Sequence, residues 1–297
     1  MPFRFFPFLL LVCFSCAQPR PATLVEVEEI IQDRFAQVEG DFAVAFQRLD
    51  NPEEQLLING QEEFHAASTM KTPVMLEVYK QADAGRFSLS DSLVVKNDFR
   101  SIVDSSQYSL SSDDDSYARL YEQVGTRQSI YDLMYSMIIS SSNLATNIII
   151  ELVGADKVTQ TMRELGANDI QVRRGVEDTK AFQQGLNNTT TAYDLMLLFK
   201  AIAQHEVVSR EASQEMIDIL LDQQFNDMIP AQLPDDVQVA HKTGGITGVH
   251  HDSGIVYLPD GRSYVLVLLS KNLTDEEAGM QALADVSKVI YDYVTKE

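Results

Sequence analysis

Residues 66–73 read AASTMKTP, and the fold prediction starts from this stretch. Apolar side chains recur after it at helical spacing, which predicts a helix that begins at Ser68 and stops near Gly85. Ser68 and Lys71 are three positions apart, so a hydroxyl and an amine share one helix face. A serine becomes nucleophilic when a neighbour takes its proton, and a lysine takes it only when neutral. The stretch therefore predicts an activated serine; a helix cap followed by a surface lysine is the alternative.

Two short motifs further along the chain support the activated serine. Residues 141–143 read SSN at the break between two predicted helices, and residues 242–244 read KTG on a predicted strand. Alone, the first is typical of a turn and the second of a strand end. Short motifs of this kind occur often by chance, but all three in this order and in these elements are a rare coincidence.

Together the motifs resemble the set found in penicillin-recognising serine enzymes. The chain is similar to the class A β-lactamase family over nearly all of its length after the N-terminal segment. Residues 143–147 (NLATN) and 188–191 (NTTT) also resemble runs of that family. The resemblance implies a serine hydrolase that opens a β-lactam ring by becoming acylated and then releases the product by hydrolysis.

The resemblance also implies roles for individual residues. Ser68 would be the nucleophile, Lys71 its proton acceptor, directly or through a relay, and Ser141 the proton donor to the leaving nitrogen. Substrate binding would involve the side chains of Asn143, Lys242 and Thr243. The backbone N–H groups of Ser68 and Gly245 would form an oxyanion hole.

Two departures concern the middle motif and the deacylating glutamate. Ser142 stands where the family usually has an aspartate. Class A enzymes carry the glutamate that activates water in Arg-x-Glu-x-x-Leu-Asn, whereas residues 173–180 here read RRGVEDTK. Glu177 is the candidate, one residue out of register and without Leu-Asn at the expected distance. The alternative is a solvated loop acid.

A third departure concerns the arginine that helps to hold a β-lactam carboxylate in the family. His251 stands where that arginine is expected, and it could bind an anion only when protonated. The alternative is an ordinary strand residue.

No metal is predicted here, because adjacent strand side chains such as His250 and His251 point to opposite faces. The segment 104–116 is polar and acidic and is predicted to be an exposed loop. A calcium site at 113–115 is the alternative, although the turn glycine of known calcium loops is absent.

Hydrophobic periodicity predicts an α+β fold with strands near both chain ends and helices between them. The predicted strands cover 42–49, 55–58, 237–243, 253–258 and 263–270, and a closing helix covers 276–294. The expected architecture is β-lactamase/DD-peptidase-like: an antiparallel sheet from both ends, flanked by helices, with an inserted all-helical subdomain. In the domain 24–297, we assign 24–67 and 206–297 to the sheet part and 68–205 to the helical part.

The N-terminus is typical of an export signal, because one arginine precedes a short apolar stretch. We predict a signal peptide over 1–17 and a linker over 18–23, hence an exported, periplasmic protein. Cys16 would be lipidated if the segment is of lipoprotein type; cleavage after Ala17 is the alternative. Cys13 and Cys16 are the only cysteines, so no disulfide is expected in the domain.

The composition restricts the partners. The chain has 297 residues and a formal net charge of −21, which argues against nucleic acid and against anionic membrane surfaces. A small-molecule substrate and no cofactor are expected, and the oligomeric state stays open. The leading function is β-lactam hydrolysis. The alternatives are a D-Ala-D-Ala carboxypeptidase or esterase on the same scaffold, and a β-lactam-binding envelope protein without turnover.

Overall fold

The computed structural model describes residues 21–296. The predicted signal peptide, Cys16 and the first half of the linker lie outside this part. No helix within 21–296 combines the length and apolar character needed to cross a bilayer.

The secondary structure of the described part alternates between a sheet and groups of helices. The α-helices are α1 (Leu24–Phe35), α2 (Lys71–Asp83), α3 (Ile130–Ile139), α4 (Asn143–Val153), α5 (Ala155–Glu164), α6 (Thr179–Gln183), α7 (Ala192–Ala203), α8 (Arg210–Leu221) and α9 (Glu276–Val294). The strands are β1 (Asp41–Arg48), β2 (Gln55–Ile58), β3 (Phe64–His65), β4 (Ser92–Val94), β5 (Phe99–Arg100), β6 (Gln107–Tyr108), β7 (Arg127–Ser129), β8 (Thr189–Thr190), β9 (Gln238–Ile246), β10 (Val249–Tyr257) and β11 (Ser263–Lys271). Short 3-10 turns cover Ala67–Met70, Ser112–Asp114 and Ala118–Gln123.

The main sheet is antiparallel and has the strand order β2-β1-β11-β10-β9. Two of its strands come from the start of the chain and three from its end, which confirms the predicted fold class. The β1–β11 ladder, in which Val44 lies opposite Leu268, joins the two ends. Strand β9 is the outer strand on one side, so alternate backbone N–H groups along its free edge have no sheet partner.

The sheet is buried on both faces. Along β1, Val44 and Phe46 belong to a hydrophobic cluster with residues of α1 and α9. Ala43 and Ala45 belong to a second hydrophobic cluster, which contains residues of α7. This alternation follows from the two-residue period of a strand. Each fully buried Val or Phe side chain contributes about 1.5–3 kcal/mol relative to exposure. Although α7 lies within the range assigned to the helical part, it packs directly on the sheet.

The helical part is built around α2, which packs against α3, α4, α5 and α8. The helix that was predicted to begin at Ser68 begins at Lys71 instead, and Ser68 lies in the 3-10 turn Ala67–Met70 that precedes it. The hydroxyl and the backbone N–H of Thr69 both donate to the carbonyl of Ala66, which tightens this turn. The turn packs on β9, so it brings Ser68 next to the KTG motif.

Two sequence expectations are corrected. The segment 104–116 is not simply an exposed loop, because β6 pairs with β5 and Asp115 is only 7% exposed. Strand β10 begins at Val249, not at residue 253, since His250 pairs with Gly245 across the sheet. Residues 250–253 are all polar, so this part of the strand lacks the alternation of apolar residues from which strands are predicted.

Candidate active site

A cleft of about 530 Å³ opens where the turn before α2, the start of α4, strand β9 and the loop after α5 meet. Six of the sequence-predicted site residues line it: Ser68, Ser141, Asn143, Glu177, Thr243 and Gly245. Lys71 and Lys242 are fully buried directly behind it. The fold therefore brings together all three motifs and the candidate glutamate.

Ser68 lies in the 3-10 turn with its side chain partly exposed to the cleft. The preceding Ala67 has a φ of 45°, a left-handed conformation that turns the chain toward β9. A Cβ at Gly244 would lie only 3.1 Å from the backbone nitrogen of Ser68. The glycine of the KTG motif thus permits the edge of β9 to approach the nucleophile candidate closely.

Lys71 lies at the start of α2 with no exposed surface. Its Nζ donates to the carbonyl of Ser141 at 2.7 Å, to Ser141 Oγ at 3.1 Å and to Asn143 Oδ1 at 3.0 Å. Burial lowers the pKa of Lys71 to about 7, although the charges of Asp115 and Glu177 act in the opposite direction. A large fraction of Lys71 is therefore neutral near pH 7. Its three recorded partners in the described part do not include Ser68, so proton transfer from Ser68 needs a side-chain rotation or a relay.

Lys242 approaches the same hydroxyl from β9. Its Nζ donates to Ser141 Oγ at 3.1 Å and to the carbonyl of Thr243 at 2.8 Å. Burial holds the pKa of Lys242 well below its usual range, and the nearby charge of Lys71 lowers it further. Ser141 itself has a left-handed φ of 56°, which places its side chain between the two amines. One hydroxyl therefore bridges two buried lysines beside Ser68.

Glu177 lies half-buried at the opposite wall of the cleft, where Oε1 accepts a hydrogen bond from Asn143 Nδ2 at 2.9 Å. Burial raises the pKa of Glu177; the Asn143 hydrogen bond opposes this shift, and the nearby carboxylates add to it. The amide of Asn143 thus connects Lys71 to Glu177. This placement differs from that of a freely solvated loop acid.

His251 does not reach the cleft. Its side chain has no exposed surface, and Nε2 lies 2.9 Å from the carbonyl oxygen of His65. Burial lowers the pKa of His251 to about 4, so the ring is neutral near pH 7 and is no cationic anchor. The location fits the alternative of an ordinary strand residue. The histidine that lines the cleft is His250, whose Nε2 lies 2.8 Å from a carboxylate oxygen of Glu276.

Asp115 is a residue at this site that the sequence reading missed. Its Oδ2 accepts hydrogen bonds from the backbone N–H groups of Asn143 and Leu144, both at 2.9 Å. It also accepts one from the Ser142 hydroxyl at 3.4 Å. The carboxylate thus lies at the N-terminus of α4, where a negative charge is favourable. The family usually has an aspartate at position 142, and here a carboxylate from elsewhere in the chain lies at this helix end instead. The missing aspartate at 142 was the signal in the sequence that pointed to such a residue.

Replacing Asp115 with asparagine is expected to destabilise the fold by about 1–3 kcal/mol. Oδ2 accepts from the two N–H groups of α4 and Oδ1 accepts from that of Tyr117, and an amide can accept on only one of these sides. Thermal or denaturant unfolding measures this loss. Asp113→Asn, an exposed neighbour, serves as the control and is expected to change stability by less than about 0.5 kcal/mol. An Asp115→Asn protein as stable as its parent would show that the second acceptor oxygen of this carboxylate does not stabilise the fold.

No grouping of three or more His, Cys, Asp or Glu side chains suited to a metal ion lies within residues 21–296.

Because the Ser141 hydroxyl links two buried amines next to a partly exposed serine, the site can carry out acyl transfer on a serine nucleophile, which is the chemistry of a serine hydrolase. Residues 26–294 match the β-lactamase enzyme family, and the chain belongs to that family.

Known relatives agree with this assignment. The chain is 23% identical to β-lactamase VEB-1 of Pseudomonas aeruginosa over 95% of this chain and 93% of that protein. A β-lactamase structure from Sphaerobacter thermophilus is 27% identical and superposes with a TM-score of 0.77 over 91% of this chain and 97% of its own. The structure of PBP-A is likewise 27% identical, with a TM-score of 0.78 over 94% of this chain and all of its own. A variant of PBP-A has been solved as an acyl-enzyme with penicillin G.

Proposed function

We propose that this protein is a β-lactamase that is acylated at Ser68 and hydrolyses the amide bond of a β-lactam ring. The observation that carries the proposal is the Ser141 hydroxyl, 3.1 Å from each of two buried lysine amines at the base of the cleft that Ser68 lines. Such an arrangement can move a proton from a nucleophile to a leaving nitrogen without exposing it to water.

In the acylation step, Ser68 Oγ attacks the carbonyl carbon of the ring, and its proton passes to Lys71 directly or through a relay. The tetrahedral oxyanion is stabilised by the backbone N–H groups of Ser68 and Gly245. The carbon–nitrogen bond then breaks, and the ring nitrogen takes a proton from Ser141. Lys71 and Lys242, both within reach of Ser141 Oγ, can replace that proton. Ser68 is left as an ester of the ring-opened substrate.

In the deacylation step, Glu177 removes a proton from water, and the resulting hydroxide attacks the ester carbonyl. The Ser68 oxygen leaves and recovers a proton, which returns the free enzyme and the ring-opened acid. Asn143 supports both steps, because it contacts Lys71 through Oδ1 and Glu177 through Nδ2. Thr243 lines the cleft where the substrate carboxylate would bind, and Lys242 behind it supplies positive charge when protonated.

The rate of acylation is expected to rise as the pH increases through about 7. The base form of Lys71 is the neutral amine, and burial brings its pKa down to about 7, so the reactive form grows over this window. The second-order rate constant of acylation, measured from pH 5.5 to 9, checks this. A rate that is flat over the whole window would contradict Lys71 as the base.

The second candidate is a D-Ala-D-Ala carboxypeptidase or esterase on the same scaffold. The missing Leu-Asn after Glu177 favours it, because slow clearance of the acyl group separates such enzymes from β-lactamases. A chromogenic cephalosporin separates the two activities: steady turnover supports the β-lactamase, whereas release of one equivalent followed by a stall supports the peptidase. A stall without activity on D-alanyl peptides supports a β-lactam-binding protein.

The protein is further proposed to be exported to the periplasm, with Cys16 as a lipid anchor. The arginine and the apolar stretch before Cys16 support this. The mass of the mature N-terminus after expression with its own leader tests it: a lipid-modified Cys16 supports the anchor, and an unmodified N-terminus after Ala17 opposes it.

A further inference from the structure

The backbone of Glu177 is held in an unusual conformation. Its φ is +61°, in the left-handed region that residues other than glycine, asparagine and aspartate seldom adopt. Such a conformation persists only where the surroundings fix it. The hydrogen bonds of the adjacent residues show how the chain is fixed on both sides of Glu177.

On the N-terminal side, Asn147 of α4 pairs with the backbone of Val176. Its Oδ1 accepts from the Val176 N–H at 2.6 Å, and its Nδ2 donates to the Val176 carbonyl at 3.0 Å. A Cβ at Gly175 would lie 2.3 Å from Asn147 Oδ1, so only glycine allows this approach. This anchor fixes the chain up to the residue before Glu177.

On the C-terminal side, the anchor is Asp178, a residue that is only 2% exposed. Its Oδ2 accepts from the backbone N–H of Ile102 at 2.9 Å, and its Oδ1 accepts from Ser101 Oγ at 2.9 Å. Oδ1 also accepts from the N–H of Ala181 at 3.1 Å and thereby caps α6. One buried carboxylate thus joins the loop that carries Glu177 to the hairpin of β5 and β6.

We propose that Asp178 is a positioning residue that holds Glu177 in its left-handed conformation and aims its carboxylate at the deacylating water. This inference rests on the proposed function, because it assigns Asp178 to deacylation. Acylation uses Ser68, Lys71 and Ser141, whereas the side chain of Asp178 is hydrogen-bonded to Ser101, Ile102 and Ala181. Loss of the anchor therefore affects release of the acyl group and leaves its formation intact.

Asp178→Asn is the variant that tests this with the least change in shape. An amide offers one acceptor oxygen and one NH₂ donor, so in either orientation the N–H of Ile102 or that of Ala181 loses its partner. A shift of about 1 Å in a reacting group costs about 10²-fold in rate. Deacylation is expected to slow by about that factor, with the acylation rate within about threefold of the parent.

Lys180 provides a matched control, because it joins the same two segments from the surface. Its Nζ forms an exposed ion pair with Asp104 at 2.7 Å and a hydrogen bond to Ser106 at 2.7 Å. Exposed pairs contribute little, so Lys180→Ala is expected to keep both rates. Ser101→Ala, which removes one donor to Asp178 from outside the loop, is expected to slow deacylation in the same direction but less. It also serves if Asp178→Asn does not fold.

The experiment follows intact mass after mixing with penicillin G, which gives both rates, together with hydrogen exchange of the loop and of residues 99–108. We expect slower acyl release and faster exchange at Ile102 and Ala181 in Asp178→Asn. Parent-like release, or an equal fall of both rates, would overturn the proposal. If penicillin does not label the parent, the proposed function fails. The anchor is then still tested by hydrogen exchange, because an Asp178→Asn protein with the exchange rates of the parent at Ile102 and Ala181 would overturn it. If Glu177→Gln keeps full turnover, Glu177 is not the base, and Asp178 then has no role in deacylation.

Discussion

A Glu177→Gln protein is expected to be labelled by penicillin as fast as the parent and then to remain labelled. Glutamine keeps the shape of the side chain but has no basic carboxylate to take a proton from water. General-base catalysis contributes about 10²–10⁴-fold, so deacylation should slow by that factor. Intact mass recorded over time after a penicillin pulse shows the persistent adduct directly.

The control for this variant is Asp113→Asn, which removes an exposed carboxylate near the same wall without removing a group that lines the cleft. It should clear its adduct at the parent rate. Glu177→Gln protein that also clears its adduct at the parent rate would show that another group activates the water.

The second large effect is expected from Lys71→Met. Methionine fills much of the buried space of lysine but cannot accept a proton, and the Ser141 carbonyl loses its 2.7 Å donor. Acylation should slow by about 10²–10⁴-fold, because the serine loses its general base. The second-order rate constant of labelling by a fluorescent penicillin measures this.

Lys80→Met is the matched control on the same helix, since Lys80 forms an exposed ion pair with Glu164 far from the cleft. It is expected to acylate at the parent rate. The two catalytic variants differ in kind: Lys71→Met slows formation of the adduct, and Glu177→Gln slows its loss. A Lys71→Met protein that acylates normally would mean that the Ser68 proton leaves by another route.

Local patterns in the sequence were sufficient for most of the fold. The bounds of β2 (Gln55–Ile58) and α9 (Glu276–Val294) were predicted to the residue, because apolar periodicity indicates both elements and the Asp275 cap fixes the start of α9. The start of β10 was missed, because His251, Asp252 and Ser253 are polar side chains that are nevertheless fully buried in the sheet.

The site could be predicted only in part. Ser68, Lys71, Ser141 and Lys242 stand in short motifs, so their chemistry is visible in the chain itself. The contributions of Asp115 and Asp178 depend on hydrogen bonds to residues that are distant in sequence, and each looked like one acid among many. Whether His251 or His250 faces the cleft depends on strand register, which no local pattern decides.

The central claim is that the Ser68 hydroxyl forms the covalent bond to a β-lactam. Intact mass after exposure to penicillin G tests it most directly, with the parent and Ser68→Ala proteins treated side by side. The parent should gain one penicillin mass, located to the peptide that contains Ser68 after digestion, and Ser68→Ala should gain none. An adduct of the same mass on Ser68→Ala would contradict it.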